Sequence, residues 1–129
     1  MLAAAKLQTI VCTLNLAMAD DFYGRVLGLR HLGTSEGASV YDVGGADLRV
    51  SPVPQLVPSE HTVVGFSVPE LAAAMALLSA RGVEWVRFPG LPHDASGALT
   101  TPGGARVAWM RDPDGNLLSI VQYASVRGT

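Results

Sequence analysis

The spacing of apolar and polar positions in the first part of the chain predicts one strand, one helix and three further strands. Residues 7–14 form an apolar run rich in β-branched side chains, which favours a strand. Within residues 17–27, Met18, Phe22 and Val26 are four positions apart and would share one face of a helix. Three short extended stretches follow at residues 30–33, 38–43 and 47–51.

Capping and turn residues set the limits of these elements. Asn15 is a typical N-cap for the predicted helix, and Gly28 would end it as a C′ glycine. Glycine-containing pairs at residues 36–37 and 44–45 predict the turns between the strands. Three prolines make residues 52–60 a linker inside the domain, because proline disrupts regular structure.

The same order of elements is predicted again after the linker. Residues 61–68 form a strand, Pro69 suits the first position of a helix, and Gly82 ends that helix. Its apolar stripe consists of Leu71, Met75 and Leu78. The remaining segments are an extended stretch at residues 83–87, a Pro/Gly-rich loop with room for a small hairpin at 88–104, and two strands at 105–110 and 116–123 joined by a tight turn.

The two halves form an internal repeat. The distance from Thr9, at the start of the first strand, to Gly28 nearly equals the distance from Thr62 to Gly82. The sequence therefore predicts one domain, residues 1–129, that consists of two βαβββ modules at residues 7–52 and 61–123.

The composition narrows the classes of protein that the chain can belong to. Hydrophobic residues make up 49% of the 129 residues and charged residues 16%, which excludes intrinsic disorder. Nine basic and eleven acidic side chains, with no basic cluster, argue against nucleic acid or an anionic membrane as a partner. The single cysteine, Cys12, excludes an internal disulfide. With no apolar leader at its start, we expect a cytoplasmic protein.

Two motifs resemble a known superfamily. One follows the first strand and reads Phe22-Tyr23-Gly24-Arg25-Val26-Leu27-Gly28-Leu29, and the other, before the last strand, reads Asp112-Pro113-Asp114-Gly115-Asn116. Both are similar to the vicinal oxygen chelate superfamily, which includes glyoxalase I, bleomycin resistance proteins and extradiol dioxygenases. The resemblance implies an α+β fold in which two βαβββ modules form a curved eight-stranded mixed sheet around a cavity. That cavity is completed within one chain or by exchange between two chains of a dimer.

The resemblance also implies where a metal would bind. Metal-dependent members carry four inward-facing ligands, usually His and Glu, on the first, fourth, fifth and eighth strands. Here the first, fifth and eighth positions fall on Gln8, Val63 and Ser119, and the fourth lies within residues 47–51. Valine has no donor atom, and amide and hydroxyl oxygens are weak ligands for transition metals. We therefore expect no metal cofactor, and one divalent metal ion held by irregular ligands is the alternative.

The alternation of side chains along the strands predicts which residues line the cavity. In the fifth strand Val64, Phe66 and Val68 form an apolar face suited to packing under a helix. The opposite face of the fifth strand would point into the cavity, as would one face of the first strand and one face of the eighth. The residues on these three faces are His61, Val63, Gly65 and Ser67 in the fifth strand, Gln8, Ile10 and Cys12 in the first, and Leu117, Ser119 and Val121 in the eighth. This lining is mostly apolar with a few neutral hydrogen-bonding groups, which suits an organic ligand better than a cation.

Four further residues each allow a functional and a structural interpretation. His61 is a displaced ligand or general base, or a histidine at the start of a strand beside a loop. His93 with Asp94 is an acid/base pair on a lid, or solvated loop surface. Trp109 stacks on a flat ligand or packs in the core. Arg49 holds a carboxylate or phosphate if it points inward, and otherwise lies on a solvated outer face.

These observations lead to one main functional hypothesis. The chain is expected to bind a small, largely apolar organic molecule without a metal, as a homodimer. The predicted ligand-binding residues are Gln8, Arg49, His61, Val63, Trp109 and Ser119. The alternatives are a metal-dependent lyase, isomerase or dioxygenase with irregular ligands, and a metal-free enzyme that uses His61 or His93 as its acid/base group, so the sequence leaves open whether the protein is an enzyme.

Overall fold

The computed structural model describes residues 1–124 and contains two compact units. The first unit comprises Met1–Pro58 with Pro113–Gly115, and the second comprises Ser59–Asp112 with the residues that follow from Asn116. These units correspond to the two predicted modules, except that three residues of the predicted 112–115 turn group with the first unit.

The first unit is a four-stranded mixed sheet with one helical segment. Its strands are β1 (Gln8–Thr13), β2 (Arg30–Ser35), β3 (Ala38–Val43) and β4 (Ala46–Pro52), arranged in the order β1-β4-β3-β2. Strands β1 and β4 are parallel, and the other pairs are antiparallel. Helix α1 (Leu16–Asp20) continues as a π-helix over Asp21–Val26. The predicted N-cap is confirmed, because the Asn15 side chain accepts a hydrogen bond from the Met18 N–H at 3.1 Å.

The three residues that the spacing places on one helix face line one depression together, but they differ in burial. Met18 is 55% exposed, whereas Ala19, Tyr23 and Val26 are buried. The Leu27 N–H bonds to the Phe22 carbonyl, five residues back, instead of the usual four. A π-turn changes which side chains of residues 21–26 share a face, and a 3.6-residue pattern does not anticipate that change.

Tyr41 lies at the centre of the first core. Its ring is fully buried beside Tyr23, with 6.2 Å between the ring centroids. The Tyr41 hydroxyl donates to Asp20 Oδ1 at 2.5 Å, which ties strand β3 to helix α1. Burial, together with the hydrogen bond and the charge of Asp20, raises the pKa of Tyr41 above its usual value, so the phenol stays protonated as a donor. The Tyr41 ring is therefore part of the hydrophobic core of the first unit.

The second unit repeats the same arrangement. Its strands are β5 (Val64–Ser67), β6 (Leu99–Thr100), β7 (Arg106–Arg111) and β8 (Leu117–Gln122), in the order β5-β8-β7-β6. The parallel pair is β5 with β8. Helix α2 (Leu71–Ala80) contacts β7 and β8 through the predicted stripe of Leu71, Met75 and Leu78, which is buried. Both units thus place the first and last strands of a module side by side, and the predicted repeat is confirmed.

Three boundaries in the second unit differ from the predictions. Strand β5 begins at Val64 rather than at residue 61, although the Val63 N–H already bonds to the Leu117 carbonyl. Pro69 precedes the helix, whose N-cap is Glu70. Residues 83–87 are extended without forming a strand of the sheet, and the Val86 N–H bonds to the Trp109 carbonyl. The hairpin expected within residues 88–104 is present in part, as β6 pairs with β7.

The α+β fold class is confirmed, and the eight strands are divided between two four-stranded sheets. Within residues 1–124, no helix is long and apolar enough to span a membrane.

Candidate functional site

The helix of each unit covers one side of its sheet, and we call the other side the far face. In the second sheet, hydrogen-bonded partners share a face, and successive residues alternate between faces. The helix-covered side carries buried side chains, including Val64, Leu118 and Met110. The far face therefore carries Gly65, Ser67, Val107, Trp109, Ser119 and Val121.

One row of this far face brings two predicted site residues together. Trp109 pairs with Ser119, and Ser119 pairs with Gly65 on the other side. A Cβ at residue 65 would lie 3.2 Å from the Ser119 Oγ, so the glycine keeps space beside that hydroxyl. The sequence alone left the face of Trp109 undecided, and the pairing with Ser119 settles it.

The ring of Trp109 belongs to a cluster of three rings. Phe88 packs against it edge-on, with 5.1 Å between centroids, and the His93 ring packs edge-on at 6.0 Å. We call Phe88, His93 and Trp109 the aromatic cluster. All three side chains are half-buried. Sequence analysis did not single out Phe88, because its loop carries no periodic pattern that would predict its partners.

The imidazole of His93 is occupied by backbone groups. Its Nε2 accepts a hydrogen bond from the Phe88 N–H at 3.0 Å, so Nε2 carries no proton in this arrangement. Its Nδ1 therefore carries the proton and donates to the Gly97 carbonyl at 2.7 Å. Both nitrogens are engaged, and the ring holds the loop closed beside Trp109. This arrangement does not support an acid/base role for His93.

Of the two interpretations of His93 and Asp94, the acid/base pair is not present in the structure. The Asp94 Oδ1 accepts hydrogen bonds from the backbone and hydroxyl of Ser96 and from the Ala98 N–H, and Oδ2 accepts from Arg106 at 3.0 Å. These bonds, led by that from the Ser96 hydroxyl, lower the pKa of Asp94 from 3.8 to about 2. Adjacent residues in a tight loop thus direct their side chains to different partners, and Asp94 stabilises the loop.

His61 and Val63 lie at the edge of the second sheet. His61 is exposed, precedes strand β5, and its Nδ1 lies 2.7 Å from the Ser59 hydroxyl. It therefore sits at the start of a strand beside a loop, which was its structural interpretation. Val63 is half-buried and alternates with Val64, which places it on the side of Gly65.

The far face of the first sheet carries the other two predicted site residues. Gln8, Ile10 and Cys12 alternate with buried Val11 along β1, and Arg49 pairs with Ile10. Arg49 is therefore on the same face as Gln8, opposite the side that the helix covers. Its guanidinium donates to the Ser35 carbonyl at 2.7 Å.

The strand register identifies the fourth position that the sequence left open. Ile10 and Gly65 each lie six residues before the first residue of their helices, so they are equivalent in the repeat. Their partners on the last strand of each module are Arg49 and Ser119. Arg49 is therefore the first-unit counterpart of Ser119.

These four side chains do not fit a divalent metal ion. The positions that the resemblance assigns to metal ligands are Gln8, Arg49, Val63 and Ser119. A guanidinium is a cation that cannot be deprotonated in proteins, and a valine has no donor atom. Among residues 1–124, no group of three or more His, Cys, Asp and Glu side chains is placed to hold a metal ion.

A separate depression lies on the helical side of the first unit. It has a volume of about 440 Å³, is open to solvent, and none of the predicted site residues lines it. Its lining residues are Asn15, Ala17, Met18, Asp21, Phe22, Val26 and Pro113.

Known structures share this fold at low sequence identity. A glyoxalase/bleomycin resistance protein/dioxygenase from Alicyclobacillus acidocaldarius is 17% identical, with a TM-score of 0.70 over 95% of this chain and 93% of that chain. A lactoylglutathione lyase from Agrobacterium tumefaciens is 17% identical, with a TM-score of 0.71 over 98% of each chain. An integron cassette protein from the mobile metagenome of V. cholerae is 20% identical, with a TM-score of 0.67 over 94% and 96%.

Among curated proteins, none matches the chain at a significant level. The family described as Glyoxalase/Bleomycin resistance protein/Dioxygenase superfamily matches residues 7–120, which is most of the chain. With the repeated βαβββ order observed in both units, this match leads to one conclusion: the chain belongs to the Glyoxalase/Bleomycin resistance protein/Dioxygenase superfamily.

Proposed function

We propose that this chain binds a small, largely apolar organic molecule without a metal, and that the far face of the second sheet contributes the main binding surface. The observation that carries the proposal is the row of Trp109, Ser119 and Gly65, in which a large half-buried ring stands beside a small hydroxyl and an empty position. Apolar surfaces with a few placed polar groups are typical of small-molecule sites.

Each residue in this row has a defined role in the proposal. The indole of Trp109 stacks on a flat part of the ligand, and the edge-on Phe88 fixes the orientation of the indole. The Ser119 hydroxyl donates to, or accepts from, one polar group of the ligand. Gln8 belongs to the first unit, and its exposed amide offers a donor and an acceptor on the far face of that unit's own sheet.

Metal independence is supported by the chemistry of the side chains at the four ligand positions. One is a cation and one is a hydrocarbon, so the two remaining oxygens would have to hold the ion by themselves. A metal-dependent lyase, isomerase or dioxygenase reaction has no such support in these residues. The acid/base alternative through His93 is weakened because both of its ring nitrogens are bound to the backbone.

The proposal includes a homodimer in the cytoplasm, with no nucleic acid or membrane partner. Support for the dimer comes from two apolar side chains that flank β1 and are more than half exposed, namely Leu7 and Leu14. Sedimentation equilibrium tests this part, and a monomeric mass at micromolar concentration would refute it.

Binding of the uncharged fluorescent probe N-phenyl-1-naphthylamine tests the central proposal. We expect a saturable fluorescence increase with the wild-type protein. Trp109→Leu should weaken binding about tenfold, because a lost stacking contact together with lost apolar burial is worth roughly 1–2 kcal/mol.

The other tryptophan supplies a matched control. Trp85 is also half-buried, its ring nitrogen donates to the Ser79 hydroxyl at 2.8 Å, and its indole is not one of the three rings of the aromatic cluster. Trp85→Phe should therefore bind the probe as the wild type does. Equal losses in both variants, or no saturable binding to the wild type, would refute the proposal.

A further inference from the structure

Arg49 stands in the middle of the far face of the first sheet. It pairs with Ile10 on one side and with Val40 on the other. The Ile10 side chain is 54% exposed, and Val40 and Arg49 are half-buried. A permanent positive charge is thus flanked on both neighbouring strands by aliphatic side chains.

The positive charge of Arg49 has no acidic counterpart among the described residues. Its guanidinium bonds to the Ser35 carbonyl, and no carboxylate within residues 1–124 forms an ion pair with it. The nearest acidic positions on the same face are Asp47 and Asp42. Asp47 is paired with Lys6 at 3.1 Å, and the Asp42 carboxylate accepts the Gly45 N–H at 3.1 Å.

A guanidinium has five N–H donors in a planar fork that matches an oxyanion. One backbone carbonyl occupies only part of that capacity. A bound anion would supply an opposite charge and accept hydrogen bonds from the remaining N–H groups.

We propose that the far face of the first sheet binds an organic oxyanion, with its carboxylate, sulfonate or phosphate group held by Arg49 and its apolar body in contact with Ile10 and Val40. This inference goes beyond the proposed function, because it adds a surface of the first unit and the charge class of the molecule that this surface takes. It also accounts for the side chain at this position. An acidic residue there would favour a cation, whereas arginine favours an anion.

Two probes with the same aromatic skeleton test the inference. 1-Anilinonaphthalene-8-sulfonate carries a sulfonate, and N-phenyl-1-naphthylamine lacks it. We expect Arg49→Met to weaken binding of the sulfonate about tenfold, which corresponds to one charge-assisted hydrogen-bonded contact. Binding of the uncharged probe should change less than about twofold, since it has no group for the guanidinium.

Arg87 is the matched control for charge and for backbone bonding. Its guanidinium also donates to a carbonyl, that of Ala95 at 2.8 Å, but it lies outside both sheets. Arg87→Met should leave both probes unaffected. Arg49→Lys keeps the charge without the planar fork and should give an intermediate loss of sulfonate binding. It replaces Arg49→Met if thermal unfolding shows that Arg49→Met does not fold.

The outcomes separate this inference from the proposed function. If the wild type binds neither probe, both fail. If it binds the uncharged probe and Arg49→Met leaves the sulfonate unaffected, or weakens it only as much as Arg87→Met does, the proposed function stands and the anion inference is wrong. Displacement of the sulfonate by 2-naphthoate, but not by equal inorganic phosphate, is the expected competition result. Equal displacement by phosphate would overturn the assignment of an apolar body.

Discussion

Asp94 is a single loop residue from which we expect a pH-dependent contribution to stability. Its pKa is lowered to about 2 in the folded chain, and an unfolded chain binds the proton near 3.8. The folded state is therefore favoured by the ionised carboxylate above pH 4, and this contribution disappears as the pH falls through 2. We expect Asp94→Asn to lower the thermal midpoint at pH 7, with the difference from the wild type shrinking between pH 4 and pH 2.

Asp21 provides the comparison for this prediction. Its pKa is also lowered, through a hydrogen bond to Arg25 one helical turn away, but it accepts none of the loop bonds that Asp94 has. An exposed pair of this kind contributes little to stability. Asp21→Asn should shift the midpoint less than Asp94→Asn at pH 7. The account of Asp94 fails if its variant shows the same difference from the wild type at pH 2 as at pH 7.

At the scale of single residues, sequence predicts side-chain chemistry better than side-chain partners. Strand alternation correctly grouped Gln8, Ile10 and Cys12, because a period of two needs no knowledge of neighbours. The partners of His93 could not be read from its adjacency to Asp94, since they depend on how the loop closes. The face of Arg49 likewise became clear only from its pairing with Ile10.

At the scale of elements, the N-terminus of helix α2 is capped by a side chain from strand β8. Its N-cap, Glu70, makes no side-chain capping bond, and the Leu71 N–H instead donates to the Gln122 Oε1 at 2.8 Å. Gln122→Leu removes the acceptor and should lower the free energy of unfolding by about 1 kcal/mol.

Urea denaturation measures this effect, and Gln122→Glu is its control. Glutamate keeps an oxygen acceptor at the same position and places a negative charge at the helix N-terminus, which is favourable. We expect Gln122→Glu to be at least as stable as the wild type. If Gln122→Leu is equally stable, the hydrogen bond does not stabilise the helix.

The elements themselves were predictable to different degrees. The turns at residues 36–37 and 44–45 were predictable because both pairs contain glycine, and Gly37 and Gly45 adopt the positive φ angles of 79° and 91° that glycine allows. The π-turn in the first helical segment was not, since a pattern of apolar residues that assumes 3.6 residues per turn carries no signal for it. The short pairing of β6 was missed in its exact place because two residues leave no periodic signal.

Across the whole chain, the turn motif at residues 112–116 connects segments that are far apart in sequence. The Asp114 Oδ2 accepts from the Thr13 hydroxyl at 2.5 Å, and its Oδ1 accepts from the Leu14 N–H at 2.8 Å. The buried Asp112 accepts from the backbone and the amide of Asn116. This motif, one of the two that carried the family resemblance, is thus a structural clamp. Its structural role explains why it predicted the fold but not the ligand or the reaction.

Removal of this clamp should destabilise the protein. Asp114→Ala takes both acceptors from the end of β1, where Thr13 is buried, and we expect a loss of about 1–3 kcal/mol in urea denaturation. Asp114→Asn keeps one oxygen acceptor and should lose less. If the alanine variant unfolds at the same urea concentration as the wild type, the clamp does not contribute to stability.

The repeat was visible in the sequence because helix-ending glycines and strand patterns recur at nearly equal spacing. The identity of the ligand was not visible in the sequence, because ligand specificity depends on which side chains share a face. The register of β4, for example, was needed to place Arg49. Those placements lead to the central claim that the protein functions without a metal.

Elemental analysis of untagged protein tests that claim most directly. The protein is incubated with zinc, nickel, manganese or ferrous ions, desalted, and analysed beside an untreated sample. Our account predicts far less than one retained ion per chain under every condition. Retention of one ion per chain that is lost in Gln8→Ala or His61→Ala would contradict the account and would indicate a metal-dependent enzyme.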